Sequence, residues 1–116
     1  MRLNAFLFPR PPLAVLSLLA ALSIGCGAVR NPALESARDA YQRARQDPMI
    51  VRHAAVALDR AGQSLQEADR LWTQEKNVTE VEHLAYLTEK RVEIARVTAE
   101  RRVAAEEIQK VRSQHP

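Results

Sequence analysis

Val51-Arg52-His53-Ala54-Ala55-Val56-Ala57-Leu58-Asp59-Arg60-Ala61-Gly62-Gln63-Ser64-Leu65-Gln66-Glu67-Ala68-Asp69-Arg70-Leu71-Trp72 is the stretch whose spacing decides the fold. Val51, Leu58, Leu65 and Trp72 recur every seven residues, and Ala54, Ala61 and Ala68 fall three further on. Such spacing makes one helix face a seam of alternating large and small residues. Alanine at each small position lets a neighbouring helix approach closely. Gly62 costs this helix about 1 kcal/mol relative to alanine, so it is expected either to admit a neighbour's backbone or to mark a kink.

Helix starts flank this stretch. Asn31-Pro32 and Asp47-Pro48 each put an N-capping side chain before a proline, whose missing N–H is harmless at the first helical position. Thr79 with Glu82 three residues on fits a capping box. The predicted helices are Pro32 to Gln46, Pro48 to Glu75 and Glu80 to Arg112. The first offers Leu34, Ala37, Tyr41 and Ala44 to the seam. The third carries Val81, Ala85, Thr88, Val92, Ala95, Ala99 and Val103 on one face, which should pack on the second helix. Between its faces, Arg96 with Glu100, Arg102 with Glu106, and Glu106 with Lys110 have helix-stabilising i,i+4 spacing. The fold class read from these patterns is all-α: a three-helix antiparallel bundle with a long coiled-coil-like hairpin made by the second and third helices.

Upstream the character changes. Arg2 and Arg10 precede an apolar run from Leu13 to Ile24, and Leu22-Ser23-Ile24-Gly25-Cys26 closes it with the chain's one cysteine. The run is 12 residues long, short of the about 20 that span a bilayer. Basic, apolar and small-residue parts in that order make an export signal. Its end resembles a bacterial lipobox, which implies cleavage before Cys26 and acylation there. Three acyl chains, at about 0.8 kcal/mol per buried methylene, exceed what stable anchoring needs. Gly27 after the cysteine implies, by the same resemblance, sorting to the outer membrane. The expected organisation is therefore a lipoprotein signal peptide over 1–25, a lipid-anchored tether over 26–31 and a helical domain over 32–116.

Removing the signal alters the charge reading. Arg2 and Arg10 leave with it while all 14 acidic residues stay, so the mature part carries 15 basic against 14 acidic residues, a net +1. The signs are interspersed, which excludes the clustered basic face of a nucleic-acid binder. The remaining 91 residues suffice for one small domain.

No catalytic, cofactor or metal site emerges. His53, His83 and His115 lack metal-ligand spacing and a cysteine partner. There is no phosphate-binding glycine loop, and Ser36, Ser64 and Ser113 sit in no Gly-x-Ser-x-Gly elbow. An enzyme is not expected, nor is a small-molecule substrate.

Ala37-Arg38-Asp39-Ala40-Tyr41, Asp47-Pro48, Ala55-Val56-Ala57-Leu58, Glu67-Ala68-Asp69 and Glu80-Val81-Glu82-His83-Leu84-Ala85-Tyr86-Leu87 together resemble an uncharacterised helical domain of Gram-negative envelope lipoproteins, the domain of unknown function 4398. In longer members it stands ahead of an OmpA-like peptidoglycan-binding domain. The resemblance implies no catalytic residue. The sequence stops at Pro116 without the OmpA-like part, so tethering to the envelope is expected to be indirect.

The expectation is a non-catalytic helical interaction or structural module, lipid-anchored to the periplasmic side of the outer membrane. The alternative is a helical peptide-binding adaptor, because the Ala-rich first hairpin resembles one tetratricopeptide unit, although three or more stacked units are normally needed. Five residues on the far side of the third helix, Leu87, Ile94, Val97, Ile108 and Val111, form a second apolar stripe, interrupted by Lys90 and Arg101. This stripe is expected to take another helix, from a second copy or from an OmpA-like envelope protein. The bundle is expected either to lie along the membrane or to dip Trp72, at the hairpin tip, into the interface, where tryptophan is favoured. With the first helix antiparallel to the second and starting near Gly62, that tip would project well past the tether.

Overall fold

The computed structural model describes residues 29–115. The expected signal peptide and Cys26 lie outside the described residues. Four helices follow in order: α1 (Pro32–Arg45), α2 (Pro48–His53), α3 (Ala55–Gln74) and α4 (Val78–Gln114). The all-α fold is as read from the sequence, with the expected second helix divided in two.

Both proline-marked starts hold. Asn31 Oδ1 accepts from the Leu34 N–H at 3.1 Å, and Asp47 Oδ1 accepts from the Met49 N–H at 2.9 Å. The last helix begins two residues earlier than the capping box suggests. Asn77 is its N-cap, with Oδ1 accepting from the Glu80 N–H at 3.2 Å, so Thr79 falls inside the first turn. The α3–α4 reversal turns on Lys76, whose φ of 51° is the one positive value among described non-glycine residues. The N–H groups of Glu75 and Lys76 both donate to the Leu71 carbonyl at 2.9 Å.

Ala54 breaks the expected long helix, with φ −139° and ψ 36°. Nothing local demands it, since His53-Ala54-Ala55-Val56 holds neither glycine nor proline. Tertiary contacts supply the reason. The Arg102 guanidinium, from α4, donates to the His53 carbonyl that ends α2. His53 Nδ1 lies 3.5 Å from Glu106 Oε1. The break changes the helical phase, so Ile50 is buried at 3% exposure while Val51, expected in the seam, stands 46% exposed.

The core is two clusters along one axis. Leu34, Ala37, Leu65, Ala68, Leu71, Val81 and Ala85 form the one near the hairpin tip. Ala44, Ile50, Ala54, Leu58, Ala95 and Ala99 form the other. Tyr41 packs against both. This pairing fixes the direction of α1. Its start shares a cluster with the end of α3 and the start of α4, so α1 begins at the hairpin tip and not near Gly62. Fourteen residues of α1 run back along twenty of α3, and their shared small residues set that alignment.

The stripe from Val81 to Val103 faces the bundle as expected: Val81, Ala85, Thr88, Ala95 and Ala99 are buried, Val92 and Val103 half-buried. The buried Thr88 hydroxyl donates to the Leu84 carbonyl at 2.8 Å. Buried Ser64 donates to the Arg60 carbonyl at 3.0 Å and accepts from Arg91 Nη1 at 2.8 Å. Among the described residues no buried side-chain polar atom lacks a partner, which avoids the desolvation cost of an orphaned group. Of the expected charge pairs, Arg96–Glu100 forms at 2.9 Å. Arg102 and Glu106 turn to His53 instead, and Lys110 pairs with Glu107 at 3.3 Å.

Candidate interaction surface

α4 outruns the rest of the bundle. Its 37 residues rise about 55 Å, whereas its buried positions end at Ala99. From residue 104 to residue 115 every described residue is exposed. Alone, a helix shorter than about 12 to 15 residues is marginal in water. This overhang propagates from a packed helix and needs no nucleus of its own.

The outer face of α4 carries the expected apolar stripe with uneven exposure. Ile94, Ile108 and Val111 are 57%, 54% and 56% exposed. Leu87 and Val97 are half-buried, so the stripe is most open at Ile94, Ile108 and Val111. Lys90, Glu93, Ile94, Val97, Thr98 and Arg101 line one open hollow along the stripe. A second, more apolar hollow lies among Glu107, Ile108, Val111 and Arg112. The glutamates bordering the stripe are paired within the helix: Glu93 with Lys90 at 3.6 Å, Glu100 with Arg96 and Glu107 with Lys110. What remains is an apolar strip with Arg101 near its middle and Arg112 at its C-terminal border.

Trp72 does not join this strip. It is half-buried at the other end, packed against the tip cluster, and lines a hollow with Val29, Thr73 and Lys76. The segment that leads into α1 therefore runs beside Trp72. Sequence reading also missed Val56 and Tyr86, which are 70% and 57% exposed. The Lys90 ammonium lies 5.6 Å from the Tyr86 ring centre, and the i,i+4 spacing of that pair was its available signal.

A polar cluster joins α1 to α3. Arg38 bridges Glu35 at 2.5 Å and Asp69, its Nε standing 3.0 Å from Asp69 Oδ1. Burial is the largest single influence and works against the Arg38 cation, but the hydrogen bonds and charge attraction of Asp69 and Glu35 together outweigh it and hold the guanidinium above its ordinary range. Its carboxylates are thus occupied by a structural partner. Among the described residues no group of three His, Cys, Asp or Glu is placed to hold a metal ion, and no described helix is long and apolar enough to cross a membrane.

The family model for a domain of unknown function, DUF4398, matches residues 32–111. The chain belongs to this family. In the DUF4398 domain the matched span takes in α1, α2, α3 and the outer stripe of α4 through Val111. No curated protein and no solved structure matches the chain.

Proposed function

We propose that this DUF4398 protein is a lipoprotein of the outer membrane, facing the periplasm, where it serves as a non-catalytic helical interaction module of the cell envelope. The observation that carries the interaction reading is the outer stripe of α4, exposed at Ile94, Ile108 and Val111 and prolonged on an overhang that no other described helix covers. Contiguous apolar strips of this kind mark association sites, and each such side chain gains roughly 1.5 to 3 kcal/mol on burial. The leader ending at Cys26 supports the anchored location. Acylation would supply the membrane attachment and leave the stripe free for a helix of another envelope protein, OmpA-like proteins included, or of a second copy.

Two measurements test the two halves of this reading. Cys26→Ser should accumulate as an uncleaved precursor without lipid label, and mature-sized unlabelled protein from that variant would exclude the lipoprotein. Pull-down of the full chain through a C-terminal tag should retain a helical partner or a second copy. Substituting Glu for Ile94 and Ile108 should release it while circular dichroism stays unchanged. Retention of every partner by that variant would place the interaction elsewhere.

A further inference from the structure

The residues of the α4 outer stripe follow an unbroken 3,4 alternation, which defines a coiled-coil seam: Lys90, Ile94, Val97, Arg101, Ala104, Ile108, Val111. We propose that two copies of the chain pair antiparallel through this seam, with Ile94 against Val111 of the second copy, Val97 against Ile108, and Arg101 against Ala104. The inference rests on the α4 outer face being the interaction surface and names its occupant.

The register follows from Arg101, the cation near the middle of the seam. Parallel in-register pairing would set Arg101 against Arg101 and Lys90 against Lys90, placing like charges in the least hydrated part of the contact. Antiparallel pairing places each Arg101 over the smallest side chain of the seam, Ala104, where its long stem has room to run outward and keep the guanidinium in water. Slipping the antiparallel pair by one heptad in either direction would press Arg101 onto Val97 or Val111. Among antiparallel registers, the proposed one alone matches every large apolar residue of the strip from Ile94 to Val111 with another. Twofold symmetry then repeats each contact, as closed homodimers require. Glu93, Glu100 and Glu107 border the seam but are already paired with Lys90, Arg96 and Lys110, so they bring little net charge to it.

Nothing in the bundle obstructs this pairing. The other helices pack on Ala95 and Ala99, on the opposite side of α4. Overlap from residue 94 to residue 111 is about 26 Å long. In this register Gln114 of the second copy lies level with Arg91, so its α4 runs past the body along the face of α4 turned away from the other helices. Four apolar side chains per copy make a contact of the small, transient class, which lipid anchoring of both copies would strengthen by raising their local concentration.

The test uses the full chain in mild detergent. Light scattering over a concentration series should show a monomer–dimer equilibrium, and Ile108→Glu should weaken it about tenfold or more. Ala104→Glu, at an exposed position, separates the orientations. Antiparallel pairing sets the new carboxylate opposite Arg101 and tightens association about twofold to fivefold, whereas parallel pairing sets it against itself and loosens association. For the contacts themselves, the photo-reactive residue p-benzoyl-phenylalanine replaces Ile94 in a mixture of isotopically light and heavy chains. Mixed-isotope cross-links should fall near Val111. Mixed cross-links falling between residues 90 and 98 overturn the proposed orientation. Cross-links in envelope membranes to a different protein alone overturn self-pairing but leave the interaction surface standing, and a chain that stays monomeric and cross-links to nothing removes both.

Discussion

The Tyr41 ring lies across Gly62, so close that a β-carbon added at Gly62 would stand 2.7 Å from the phenolic oxygen and 3.0 Å from Cζ. Glycine in mid-helix there is the counterpart of an aromatic residue in α1, and the close approach is to a side chain and not to a backbone.

Gly62→Ala should therefore destabilise the fold even though alanine is the better helix former. The propensity gain is about 1 kcal/mol, while overpacking costs about 1 to 3 kcal/mol, and the ring is held between the two core clusters. Denaturant unfolding should show a net loss near 1 kcal/mol. Adding Tyr41→Phe, which removes the nearest atom, should recover part of it in a double-mutant cycle; a stabilised single variant would show that the ring shifts freely.

Asn77 and Thr79 compete as the start of α4, and the structure gives the cap to Asn77. Asn77→Ala should cost about 1 kcal/mol in chemical denaturation. Thr79→Ala, inside the first turn, should be neutral or slightly favourable. The reverse order would restore the capping box.

Lys76 is held at φ 51°, a conformation that costs a residue with a β-carbon roughly 1 kcal/mol more than glycine. Lys76→Gly should raise the midpoint of thermal unfolding by a few degrees, without changing helix content. No rise would mean that the reversal relaxes at little cost.

Ile50 and Val51 distinguish a broken helix from a continuous one. With the break at Ala54, Ile50→Ala should cost about 2 to 4 kcal/mol as a buried truncation, and Val51→Ala less than about 0.5 kcal/mol as a surface change. A continuous heptad through Val51 would bring the two losses together. Arg102→Ala should also destabilise, by about 1 to 2 kcal/mol, through the lost hydrogen bond to the His53 carbonyl.

The parts legible in the sequence were those governed by periodicity and capping chemistry: the seam alanines, the two faces of α4 and the starts at Asn31 and Asp47. Val51 misled because heptad spacing reads a helix as if nothing interrupts it. The interruption depends on Arg102, 49 residues away, and no local residue signals it. The Gly62–Tyr41 approach was half visible, since glycine marks a close contact without saying whose. The candidate surface was legible as a stripe, but its gradient was not. Leu87 and Val97 are half-buried while Ile94, Ile108 and Val111 stand open, a difference that spacing along one helix does not show. Trp72 was legible as a residue of the hairpin tip, but its packing on the core cluster was not, because an isolated tryptophan at a helix end has no partner in a one-dimensional pattern.

The hollow shared by Val29 and Trp72 has a mechanical consequence. Cys26 precedes Val29 by three residues, a reach of at most about 10 Å, so acylation there, as proposed, would moor the chain at the hairpin tip. A single moored copy is free to pivot there, with the end of α4 as the far point of its swing. Two copies joined antiparallel have their moorings at opposite ends of one rod, roughly 80 Å apart by helix length. Both moorings meet the same bilayer only when the rod lies down. Crowding on the membrane would then switch the molecules from pivoting posts to fixed beams, coupling surface density to tilt.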